Sequence, residues 1–94
     1  MDINIYCDYE VKMTDKGSQR VGYDEFQHFE EEYVKVINGS DLLKTLRIIL
    51  GYDWVQSLDI DSKNQIIKIE IFNPTTGESE ETTYEIKRIE KVGD

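Results

Sequence analysis

The stretch Asn38–Gly51 (NGSDLLKTLRIILG) is the single segment that carries a start, an apolar stripe and a stop for an α-helix. Ser40 or Asp41 is expected to cap the first free backbone N–H groups, and Gly51 to end the helix in the left-handed conformation. At 100° per residue, Leu42, Leu43, Leu46, Ile49 and Leu50 fall within an arc of roughly 120°, wide enough to lie on a sheet. Lys44, Arg47 and Ile48 lie off that arc. Everything before and after this segment reads as strand or turn, so one helix must cover one sheet.

Residues 3–13 alternate: Ile3, Ile5, Cys7, Tyr9, Val11 and Met13 point one way, and Asn4, Tyr6, Asp8, Glu10 and Lys12 the other. A period of two over that length predicts a half-buried strand. Asp15-Lys16-Gly17-Ser18 then reads as a turn. Residues 20–32 fit two descriptions. Asp24 and Gln27 have the spacing of a capping box, with Phe26, Phe29 and Tyr33 near helical spacing, but the same residues suit the outer arm of a long bent strand. The reading adopted is a loop or irregular strand that runs into a strand over Tyr33–Ile37.

After the helix, a strand is expected near Val55–Ile60 and a tight turn at Asp61–Asn64, with Asn64 left-handed. The next strand spans Ile66–Phe72, where Ile67, Ile69 and Ile71 share a face. Pro74 and Gly77 shape the following hairpin. The last strand covers about Glu80–Ile89, with a bulge or an end near Lys87-Arg88 because Ile89 breaks the parity of Tyr84 and Ile86. The fold class is therefore α+β: a single helix packed on one face of a mostly antiparallel sheet of about five strands, in the order β-β-α-β-β-β. Residues 1–94 form one domain on this reading, since 94 residues suffice for one modest core and no linker or repeat divides them.

Chemistry is sparse. Cys7 is the only cysteine, so no internal disulfide can form, and His28 is the only histidine, so no multi-histidine metal site can form. Asp59–Glu70 has acids at the first, third and twelfth positions of an EF-hand-like loop. Lys63, however, puts a cation where an oxygen ligand belongs, and Asn64 replaces the glycine, so the stretch reads as an ordinary hairpin. No glycine-rich phosphate loop is present. Cys7, His28 and the acids are the only candidates for catalysis, and no recognisable constellation joins them. The chain is not expected to be an enzyme, and no cofactor or metal is expected.

The charge is the functional clue. Twenty acids against eleven bases leave a net charge of −9, which repels nucleic acid and anionic lipid and attracts basic surfaces. Residues 1–39 hold nine acids and four bases, 40–65 four and three, and 66–94 seven and four. The excess thus lies outside the helix. It gathers in two clusters: Asp24, Glu25, Glu30, Glu31 and Glu32, interleaved with Tyr23, Phe26, Phe29 and Tyr33; and Glu78, Glu80 and Glu81. Such clusters also serve solubility alone. The functional expectation is a partner-binding surface made of Asp24, Glu25, Phe26, Phe29, Glu30, Glu31, Glu32, Glu78, Glu80 and Glu81, its acids spaced like a phosphate backbone and its aromatics available as anchors.

The expected partner is a basic, nucleic-acid-binding protein, with no direct contact to nucleic acid or membrane. The alternative is a structural module that self-associates, for example as a homodimer, through a strand edge or the helix flank. In kind, a motif-free acidic α+β chain of this size resembles the small inhibitors that phages use against host nucleases and CRISPR effectors, some of which mimic nucleic acid. That likeness is one of type and rests on no residue signature. Without a basic start, an apolar leader or a run of ~20 apolar residues, the expected location is the cytoplasm, and the composition suits a bacterial or phage gene.

Overall fold

The computed structural model describes residues 2–51 and 53–89. Five strands and one helix follow in the order β1 (Asp8–Gly22), β2 (Glu25–Asn38), α1 (Gly39–Leu50), β3 (Val55–Asp61), β4 (Ile66–Phe72) and β5 (Ser79–Ile89). The strands form one sheet in the spatial order β2-β1-β5-β4-β3, and every neighbouring pair is antiparallel. The fold class read from the sequence is the one observed.

The chain leaves the sheet at one edge, β2, and must re-enter at the other, β3. Four strand spacings make that crossing about 19 Å. The twelve residues of α1 span about 18 Å, so the helix is as long as the sheet is wide. The core forms where α1 meets the sheet: Leu42 and Ile49 of the helix pack with Tyr9 and Val11 of β1, Ile67 and Ile69 of β4 and Ile86 of β5. β2 contributes none of these buried residues. The molecule is elongated, 58 × 22 × 21 Å, because β1 and β2 run on well past the helix.

Several local expectations are corrected. The first strand begins at Asp8, not at residue 3, and continues to Gly22. Asn4 breaks the alternation by taking the Tyr6 N–H onto its side-chain oxygen at 2.9 Å, a local turn that competes with strand pairing. Ile3 and Cys7 still pack against the core, while Ile5 is 46% exposed. Asp15–Ser18 is strand interior rather than a turn. The turn lies at Tyr23-Asp24, where Asp24 has φ 56°, and residues 25–32 belong to β2. Thus the long-strand description of residues 20–32 is the one observed, with a register shift between Arg20 and Gly22.

The helix cap is Asn38, whose Oδ1 accepts from Asp41 N at 2.9 Å, in place of Ser40 or Asp41. Gly51 has φ −91°, so it is not left-handed, and its N–H reaches Ile48 O at 3.2 Å. Gln65, at φ 55°, takes the left-handed position expected for Asn64. β5 pairs with β1 without a break from Ser79 to Ile89, so there is no bulge near Lys87-Arg88. Ile89 simply faces away from the helix.

Candidate functional site

In an antiparallel sheet, residues directly opposite one another share a face, and successive residues alternate. β1 lies between β2 and β5, so it brings together the two acidic segments, which are far apart in sequence. Row by row, Glu30 lies opposite Lys16, which lies opposite Glu81; Glu31 lies opposite Asp15, which lies opposite Thr82; Phe29 lies opposite Gly17, which lies opposite Glu80. The run Glu30, Glu31, Glu32 is therefore split. Glu30, Glu32 and Glu81 stand on the face away from the helix, and Glu31 and Glu80 on the helix face, beyond the helix itself.

The two faces treat their acids differently. On the outer face Lys12 Nζ lies 3.5 Å from Glu32 and 3.9 Å from Glu85, and Glu81 sits between Lys16 at 3.4 Å and Lys68 at 3.5 Å. These cross-strand pairs offset charge that would otherwise repel along the ladder. On the helix face, Tyr33 donates its hydroxyl to Glu31, and that bond raises the Tyr33 pKa above its ordinary value. Thr82 Oγ1 donates to Asp15 at 3.4 Å. The Glu80 carboxyl is pushed up to about 7, first by burial and then by Asp15, which bonds the protonated form and repels the charged one.

Glu80 lines a cavity of about 400 Å³ at this end of the helix face, with Phe29 and Glu31 from β2, Trp54 from the approach to β3, Ile71 from β4 and Glu78 from the β4–β5 loop. No basic side chain lines it. Trp54 is held at the sheet by its carbonyl, which accepts from Phe72 N at 3.1 Å. The loop is closed by Asn73 N to Glu78 O at 2.9 Å and by Gly77, at φ 77°. The hairpin tip reaches the same loop: Arg20 N donates to Glu78 Oε2 at 3.2 Å, and Phe26 stands so close to Gly77 that an added β-carbon would lie 3.3 Å from its ring. Of the residues expected to meet a partner, Phe29, Glu31, Glu78 and Glu80 converge on this cavity. Glu30 and Glu81 border a neighbouring hollow together with Phe29 and Glu80, while Asp24, Glu25 and Phe26 mark the hairpin tip and Glu32 is paired on the outer face.

The sequence reading missed Trp54 and Gly17. Trp54 is the only tryptophan and follows Asp53 directly, which was a usable signal. Nothing in the local pattern around Gly17 distinguishes a strand crossing from a turn.

Other candidate chemistry is dispersed. His28 lies opposite Ser18, and Cys7 precedes the far end of β1, so along the strand they are on the order of 30 Å apart and form no dyad. In the EF-hand-like hairpin, Asp61 takes the backbone N–H and side-chain amide of Asn64 at 3.1 and 2.8 Å, and these bonds lower its pKa. Among the described residues, no group of three or more His, Cys, Asp or Glu side chains is arranged to hold a metal ion, and no helix is long and apolar enough to cross a membrane. No family model, curated protein or solved structure matches the chain.

Proposed function

We propose that this protein is a non-enzymatic binding protein that occupies a basic, nucleic-acid-binding surface of another protein. One observation carries the reading: β1 brings the acidic segments of β2 and β5 side by side, so that Glu31 and Glu80 share the helix face with Glu78 around one cavity lined by no base, on a chain of net charge −9. Across the sheet the β2 and β5 acids stand two strand spacings apart, about 10 Å, with Asp15 of β1 directly opposite Glu31, so a partner built to follow a phosphate backbone meets a fixed array of anions. By type, such a protein would act as an inhibitor, as phage anti-defence proteins do, in the cytoplasm of a bacterial host.

The test is capture of partners from a bacterial lysate at low and then at high salt. The partner should be a basic nucleic-acid-binding protein, should be lost at high salt, and should not be captured by the triple variant Glu30→Lys, Glu31→Lys, Glu32→Lys. Undiminished capture by that variant sinks the assignment.

A second reading has its own support. Leu50, Leu58 and Ile60 are exposed around the β3 edge, beside an apolar hollow of about 200 Å³ under Leu43 and Leu46. On that reading the chain self-associates through β3, and sedimentation at two concentrations separates the two.

A further inference from the structure

We propose that β2 is a docking edge for an extended segment of the partner, which adds to the sheet as an antiparallel sixth strand with bases opposite Glu30, Glu31 and Glu32. This mode of docking rests on the basic partner proposed above and names the shape and the sequence pattern of what binds.

β2 is one end of the sheet, and from Asn38 back to Phe26 it runs beside β1 in unbroken register. The Gly39 N–H donates to Cys7 O at 2.8 Å, one step beyond the Asp8–Asn38 pair. Hydrogen-bonded and non-hydrogen-bonded pairs alternate along an antiparallel ladder. Ile37, Lys35, Tyr33, Glu31 and Phe29 therefore bond to β1, while Val36, Val34, Glu32, Glu30 and His28 turn their backbone N–H and C=O groups outward. That row is a template on which an added strand can pair. It has few of the usual defences. No bulge interrupts Glu30–Val36, Lys35 is its single base, and the chain's one proline, Pro74, lies between β4 and β5. All seven residues are exposed, and β2 gives the core none of its buried residues.

The side chains on this edge select the strand that fits. On the outer face Val34 and Val36 are 57% and 65% exposed, and their β1 neighbours are Lys12 and Glu10, so no apolar side chain flanks them from within the sheet. Glu32 and Glu30 continue the same face, and Glu31 stands on the helix face. Glu32 lies near Lys12, whereas Glu30 has no ion pair among the described residues. A strand laid antiparallel here meets, in its own chain order, Val36 and Val34 and then Glu32, Glu31 and Glu30. β-branched residues opposite the valines and bases opposite the glutamates make favourable cross-strand pairs. A second copy of β2 fails that match, because it brings Glu31 against Glu32.

The probe is the peptide acetyl-Val-Thr-Val-Thr-Arg-Lys-Arg-Thr-amide, whose residues fall opposite Val36 to Phe29 in order. Titrated calorimetrically into the intact protein at low salt, it should bind saturably. The reversed sequence has the same composition and charge and should bind at least tenfold more weakly. N-methylation of the second valine or of the first arginine removes a donor aimed at β2 and should weaken binding about tenfold. N-methylation of the threonine between them, whose N–H faces solvent, should not. On binding, the Glu30, Glu32 and Val34 amides should gain protection from hydrogen exchange, while those of Glu31, Tyr33 and Lys35, already bonded to β1, change little. Val34→Pro removes one outward donor without altering the β1 ladder or the charge, and should weaken the peptide about tenfold.

Equal binding of the reversed peptide, indifference to where the N-methyl group sits, or no new protection at Glu30, Glu32 and Val34 overturns the docking edge. Protection of those amides in a peptide-free dimer assigns the edge to a second copy and also overturns it. Lysate capture that is salt-sensitive and lost in the Glu30–Glu32 lysine variant, yet unaffected by Val34→Pro, overturns the edge alone and leaves the proposed function standing. In-register peptide binding together with salt-insensitive capture overturns the proposed function and leaves the edge.

Discussion

A β-carbon on Gly17 would stand 2.1 Å from the Ser79 carbonyl oxygen and 2.9 Å from Glu80 Cα, both backbone atoms of the neighbouring strand. β1 and β5 therefore close over this row only because the residue is glycine, a use of glycine inside a strand that differs from its use in a turn. Gly17→Ala is expected to cost about 3 kcal/mol, read as a lowered midpoint in urea, since backbone rather than a flexible side chain must move. Across the row, Glu80 makes stability depend on pH. Its carboxyl titrates near 7 when folded and near 4.5 when free. Between those values the folded chain holds a proton that the unfolded chain releases. The stabilisation is thus fully present below about 4.5 and is lost as the pH rises through 7. Glu80→Gln should flatten this dependence and stabilise the protein at pH 8 by about 1 kcal/mol, less than the full linkage because the group is partly solvated. Urea midpoints at pH 5 and pH 8 check the sign; a variant that is less stable at pH 8 would contradict it.

At the scale of elements, α1 does the work of closure. Leu42 and Ile49 are its two buried apolar side chains, and they meet strands β1, β4 and β5. Leu42→Ala is expected to cost roughly 2–5 kcal/mol, because the cavity it leaves is walled by β-branched residues that cannot collapse far. Calorimetry or a urea titration measures it. The N-cap sits at Asn38, earlier than Ser40 or Asp41, for a reason outside the helix. A β-carbon on Gly39 would lie 1.9 Å from the Asn4 carbonyl oxygen, so the chain turns into the helix against the segment that leads to β1. The shared stripe of Leu42, Leu43, Leu46, Ile49 and Leu50 was legible from spacing. That Leu50 remains 52% exposed was not, because the sheet ends beneath it at the β3 edge.

For the whole molecule, charge and edges compete. β2 is a fourteen-residue edge strand on which only Phe29 and Ile37 are half-buried, and β3 is the opposite edge. Such edges invite pairing. Full-length antiparallel pairing of β2 with its own copy would set Glu31 of each chain opposite Glu32 of the other, and a net charge of −9 repels a second chain at long range. The chain should therefore sediment as a monomer at low salt at both of two concentrations. A dimer there would favour the β3 edge and the self-association reading.

The elements were legible in the sequence wherever the signal was local. Period two marked Ile66–Phe72, helical spacing marked the α1 stripe, and the count of elements led to an α+β sheet with one helix. What only the tertiary structure decided is non-local. It decided that Gly17 lies within a strand, that residues 25–32 continue β2, and that Phe29, Glu31, Glu78 and Glu80 share a cavity with Trp54. A glycine looks the same in a turn and at a close strand crossing, and three consecutive glutamates look like one patch until pairing assigns them to opposite faces. Strand order sets both, and strand order depends on which apolar faces α1 can bury together, not on any residue's immediate neighbours.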